Sequence, residues 1–121
     1  MAKLDLRPDT LDLELYRGDL SAWQIVLEQE NALPIDLTSA TVRLQIRETA
    51  TSSVIIVALT AGAGLVVTPL LGKIEFALSV ANWVALSSSF YSYDLEVQYA
   101  AQGLPQTYLR GSISISGDVT R

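Results

Sequence analysis

Residues 49–72 read TATSSVIIVALTAGAGLVVTPLLG, and the reading of this stretch decides the fold. Its 24 residues lie between Glu48 and Lys73 and carry no charge. A membrane-spanning helix needs about 20 apolar residues, so length alone permits a span. Three features argue for strands instead. Gly62, Gly64, Pro69 and Gly72 interrupt the stretch, and the first two sit where a turn is expected. Val54 to Leu59 is a β-branched-rich run of six, the length of a buried strand. No Lys/Arg cluster marks a cytoplasmic flank. The expectation is two short buried strands joined by a glycine turn, with no membrane span.

On either side of this stretch the hydrophobic period is two. Leu11, Leu13 and Leu15 alternate with Asp12, Glu14 and Tyr16; Trp23, Ile25 and Leu27 with Gln24, Val26 and Glu28; and Val42, Leu44 and Ile46 with Arg43, Gln45 and Arg47. Ile74, Phe76 and Leu78 follow the same rule, and so do Tyr91, Tyr93, Leu95, Val97 and Tyr99. Leu109, Ile113 and Ile115 stay in phase around Gly111, with Arg110, Ser112 and Ser114 facing out. One apolar and one polar face per strand is the signature of half-buried antiparallel strands. Turn residues separate the runs: Arg17-Gly18-Asp19, Glu30-Asn31, Gly62/Gly64, Gly72 and Gln102-Gly103. One helical turn or two is expected near Val80 to Leu86. Seven or eight short strands predict an all-β, immunoglobulin-like antiparallel sandwich with Greek-key connections. Trp23, Phe76, Tyr93 and Leu95 are its expected core residues. Residues 1–9 lack the alternation and read as an N-terminal arm, leaving 10–121 as a single sandwich domain.

Composition narrows the function. The chain has 121 residues, half of them apolar, and its mean hydropathy is +0.33. That is too apolar for a disordered chain. Cysteine and histidine are both absent. Disulfides, thiolate nucleophiles, Cys/His zinc sites and Ser-His-Asp triads are therefore impossible within it. No catalytic residue, cofactor or metal site is expected, and the chain reads as a non-enzyme. Net charge is −5, which opposes binding to nucleic acid. Residues 1–48 hold nine acids and five bases, so the acidity is concentrated there. No apolar stretch follows Met1, so no secretory signal is expected.

Read in order, several pieces form a recognisable series. Gly18-Asp19 precedes Trp23. Then come Leu33-Pro34-Ile35-Asp36-Leu37-Thr38-Ser39-Ala40-Thr41-Val42 and Gln45-Ile46-Arg47. Gly72-Lys73-Ile74-Glu75-Phe76, Tyr91-Ser92-Tyr93-Asp94-Leu95-Glu96-Val97, Gly111 and Gly117-Asp118-Val119-Thr120-Arg121 follow. From about Leu11 to Arg121 the chain resembles small tailed-bacteriophage virion proteins, in particular the N-terminal sandwich domain of phage baseplate upper proteins. Ser39 departs from that pattern, where a Gly is usual, and so does Leu104-Pro105 after Gly103. The resemblance implies a structural or adaptor protein of the virion, in tail, baseplate, neck or collar. Such a protein docks neighbouring subunits, in repeated symmetric copies, or anchors a fibre. A capsid decoration protein and a carbohydrate-binding module that contacts a host glycan are the alternative readings.

Several motifs have a chemical reading beside a plainer one. Asp12 and Glu14 share a strand face, as do Asp94 and Glu96, and paired carboxylates can serve hydrolysis or bind calcium. The plainer reading is a solvated face with cross-strand partners such as Arg43 and Arg47. Those two arginines share an outward phase and fit either an acidic partner or Asp12 and Glu14 of the same sheet. Arg17-Gly18-Asp19 is an RGD tripeptide, better explained as a turn. Gly62-Ala63-Gly64 lacks phosphate-loop spacing. Tyr91, Tyr93, Tyr99 and Tyr108 are candidates for a sugar-stacking platform or, more plainly, for core. Lys3, Asp5, Arg7 and Asp9 in the arm are candidate contacts to a neighbouring subunit.

Overall fold

Strict alternation forces each strand to hide one face. The computed structural model describes residues 9–20, 22–29, 33–99 and 105–117, and these do so with nine strands. The strands are β1 (Asp9–Thr10), β2 (Leu13–Tyr16), β3 (Trp23–Val26), β4 (Ala40–Arg47), β5 (Val57–Ala61), β6 (Gly64–Thr68), β7 (Lys73–Phe76), β8 (Phe90–Tyr99) and β9 (Gln106–Ser116). A 3-10 turn spans Pro69–Leu71, and a short helix, α1 (Val80–Ala85), joins β7 to β8. Ser79 starts that helix with a capping box: its hydroxyl accepts from the Asn82 N–H, and the Asn82 side chain accepts from the Ser79 N–H.

Hydrogen bonding runs in the order β1–β9–β8–β4–β5–β6–β7–β3, with β2 also on β9. The link between β5 and β6 is only two residue pairs, Thr60↔Gly64 and Ala61↔Leu65. Gly62 and Gly64 both have positive φ there, 84° and 105°, which bends the chain sharply. The sheet turns a corner at this point. Inward residues from both sides of it, such as Leu44, Leu95 and Ile113 on one and Leu65, Ile74 and Phe76 on the other, enter one core cluster. Two layers result, with β1/β2, β9, β8, β4 and β5 in the larger and β6, β7 and β3 in the smaller. The fold is all-β and immunoglobulin-like.

Tyr91 adds a diagnostic detail. It stands near the start of β8, and its hydroxyl accepts a hydrogen bond from the Ser88 N–H at 2.7 Å. A tyrosine bonded back to the backbone at this corner is a hallmark of immunoglobulin-type sandwiches. Two residues later those domains carry a disulfide cysteine; this chain has Tyr93, whose hydroxyl donates to the Leu11 carbonyl at 2.6 Å. Burial, with Asp12 close by, pushes the Tyr93 phenol up to about 12.

The structure corrects several expectations. Pairing is not wholly antiparallel: β1 and β2 lie parallel to β9, and β5 lies parallel to β6. Alternation looks the same in both ladders, so the sequence pattern does not separate them. The strand expected at Val54 to Leu59 begins at Val57, and Val54 and Ile55 are exposed. The first strand is broken at Leu11-Asp12. The helix closes at Ala85 and not at Leu86. Phe76, Tyr93 and Leu95 are buried, but Trp23 is only partly so. Trp23 lies on edge strand β3 and stacks on Phe76 with ring centroids 5.3 Å apart, so it flanks the core and does not centre it. Asp9, placed in the arm, is the first residue of β1. Lys3, Asp5 and Arg7 lie outside the described residues, as do the turns at Glu30-Asn31 and Gln102-Gly103.

Candidate functional site

The outward face of the larger layer carries most of the facing charge. Arg43 is directly opposite Glu96 in the β4–β8 register, and their side chains pair at 3.1 Å. Arg47 reaches diagonally to Asp94 at 3.0 Å and also donates to the Gln45 side chain at 2.8 Å. The arginines therefore pair with Asp94 and Glu96, not with Asp12 or Glu14, because β8 and not β2 neighbours β4. Partly exposed pairs like these contribute about 0.2–1 kcal/mol each.

Asp94 stands apart within this row. Burial raises its carboxyl above the ordinary value against the pull of Arg47, while Glu96 raises it and Arg110 lowers it. One oxygen, Oδ2, takes the Arg47 hydrogen bond; the other, Oδ1, is buried with no hydrogen-bond partner. A buried carboxylate oxygen without a donor is uncommon.

A concavity of about 380 Å³ opens beside it. Its origin is the break in the first strand. Asp12 leaves the ladder, and its carboxylate accepts from the Ser112 N–H at 3.0 Å in place of a backbone partner. Gly111 allows this close approach, since a Cβ there would lie 2.1 Å from the Leu11 carbonyl oxygen. Thr10 and Asp12 form one wall, and Arg47 and Thr49 form another. Ser92 and Asp94 of β8, with Thr107, Arg110 and Ser112 of β9, complete the lining. Asp94 and Arg110 are directly opposite each other in the β8–β9 register. The spacing of Asp94 and Glu96 marks this face in the sequence; the cavity depends on the strand break, which alternation does not reveal.

Other candidate residues fall elsewhere. Tyr91 and Tyr93 are buried, at 2% and 3% exposure, so the four tyrosines make no common platform. Tyr99 donates to the Asp36 carbonyl at 2.6 Å, and burial together with Tyr108 pushes its phenol up to about 12. Arg17 of the RGD tripeptide is turned onto the body of the domain. Its guanidinium donates to the carbonyls of Leu86 and Ser88 and lies 5.9 Å from the centre of the Trp83 ring. Gly18, at φ 86°, makes the turn between β2 and β3. Gly62 and Gly64 serve the sheet corner. Among the described residues no group of three carboxylates is placed to hold a metal, and no helix is long and apolar enough to cross a membrane.

No protein-family model matches the chain, and no curated protein does. Among solved structures it is similar to Drosophila OTK, extracellular domains 3-5, at 14% identity and a TM-score of 0.35. That match covers 88% of this chain and 32% of the other, so the chain spans about a third of that structure. A likeness this loose carries no weight for function.

Proposed function

We propose that this chain is a non-catalytic interaction module that docks neighbouring subunits of an assembly. The observation that carries the reading is the apolar surface of α1. Trp83 points inward, while Val80 and Val84, four residues apart on one helix face, are 66% and 76% exposed. Leu70 and Leu71 of the 3-10 turn and Phe90 of β8 are also exposed. Large apolar side chains held out on a rigid frame favour contact with another protein. The carboxylates best placed for chemistry, Asp94 and Glu96, are in ion pairs with arginines.

The ordered motif series favours, as the assembly, the virion of a tailed phage, in tail, baseplate or neck. Mass spectrometry of purified particles, separated into heads and tails, tests this. The chain is expected in the tail fraction at a fixed ratio to the other tail proteins. Recovery in heads alone favours a capsid decoration protein. Complete absence from particles, with the chain abundant in infected cells, overturns the reading.

A further inference from the structure

We propose that the concavity at the break between β1 and β2 binds a neutral, hydroxyl-rich ligand of the pyranose class. The balance of charge carries the choice. Asp12 and Asp94 line the space together with Arg47 and Arg110, so their formal charges sum to zero. A free cation meets two guanidinium groups there, and a free anion meets two carboxylates; both are disfavoured. A sugar diol suits the mixture, because each hydroxyl donates and accepts at once.

The charged groups fit the same ligand. Asp94 Oδ1 is closed off from the concavity, so a ligand meets this carboxylate at Oδ2. Arg110, opposite it, is exposed and makes no ion pair among the described residues. A ligand hydroxyl pair can donate to Asp94 Oδ2, beside its Arg47 hydrogen bond, and accept from Arg110. Five Ser and Thr residues line the rest of the space. The volume falls within the range of small-molecule sites, roughly 300–1,000 Å³. The lining stands mainly on β8 and β9, so the groups are held by the ladder and not by a loop. This inference is independent of the docking role, since the concavity and α1 use different residues.

The test is a titration of the isotopically labelled full chain, followed by amide chemical shifts. The probes are the methyl α-pyranosides of glucose, galactose and mannose, then N-acetylglucosamine, with sodium phosphate and calcium chloride as charged controls. Saturable shifts of Ser92, Asp94, Arg110 and Ser112 with at least one sugar are expected, and none with phosphate or calcium. Arg110→Gln and Asp94→Asn should each weaken binding about tenfold, the loss of one charge-assisted hydrogen bond. Arg110 is exposed, so its variant keeps the test valid if Asp94→Asn disturbs folding. Val84→Ser, remote from the site, should bind as the parent does. The proposal is overturned if no sugar gives saturable shifts, or if the shifts lie elsewhere. A response that survives both variants overturns it too, as does one confined to the charged probes.

Discussion

Ser39 shows how much a single backbone angle can say. It adopts φ 66°, the left-handed region, and is the sole non-glycine residue with positive φ among those described. A side chain there costs about 1–2 kcal/mol, and glycine avoids that strain. Ser39 is exposed and packs on nothing that the change would empty. Ser39→Gly is therefore expected to stabilise the fold by about 0.5–1 kcal/mol, after the added freedom of the unfolded chain is offset. A rise in the urea midpoint at unchanged slope checks it. Gly72 is the opposite case. It has φ 60°, is buried, and caps the 3-10 turn. A Cβ there would lie 2.5 Å from the Leu27 carbonyl oxygen and 2.9 Å from that of Ile35. Neither neighbour is a flexible side chain, so both backbones must shift. Gly72→Ala is expected to destabilise by about 3 kcal/mol or more, with failure to accumulate as folded protein the extreme outcome. A variant within about 0.5 kcal/mol of the parent in chemical denaturation would show that the crossing has room for a methyl group.

At the scale of elements, the β4–β8 ladder was partly legible. The outward phase of Arg43 and Arg47, and that of Asp94 and Glu96, follows from alternation alone. Which strand neighbours which does not, because pairing between residues some fifty positions apart leaves no local mark. The ladder also has a consequence for pH. Asp94 holds its proton to higher pH in the folded chain than in the unfolded one, because burial outweighs Arg47. As pH rises from the ordinary value of 3.8 through the raised value, the folded chain keeps a proton that the unfolded chain has released. Stability is therefore lost across that window as pH rises. Asp36 runs the other way: hydrogen bonds from Thr38 lower its carboxyl, so its contribution is lost as pH falls. Asp94→Asn isolates the first effect. Relative to the parent it is expected to gain stability as pH climbs above 4, and chemical denaturation at a series of pH values reads the difference. Parallel profiles for the two proteins would remove Asp94 as the cause.

The whole molecule was legible where a face had to be hidden and illegible where the chain crosses itself. Leu44, Ile46, Leu95, Val97 and Ile113 are buried in the phase that alternation assigns them. The corner at Gly62 and Gly64 follows from glycine placement, and it is what turns an uncharged stretch into two strands of different layers. The parallel β2–β9 pair was not readable, since it joins residues a hundred positions apart. The surface of α1 was likewise missed, because a helix of six residues is too short for a periodic pattern. There the burden of the docking reading falls on Val80 and Val84. Neither supports the core, so the double variant Val80→Ser, Val84→Ser is expected to change stability by less than about 1 kcal/mol. Valine and serine have similar helix propensity, and the Ser79 cap is untouched. If this face meets a neighbour, removing four methyl groups from a buried contact costs several times that in association. The double variant should therefore fold as the parent does and yet fall out of purified particles by about tenfold or more in competition with it. Equal incorporation of variant and parent, measured by mass spectrometry of the same particles, would move the docking surface away from α1.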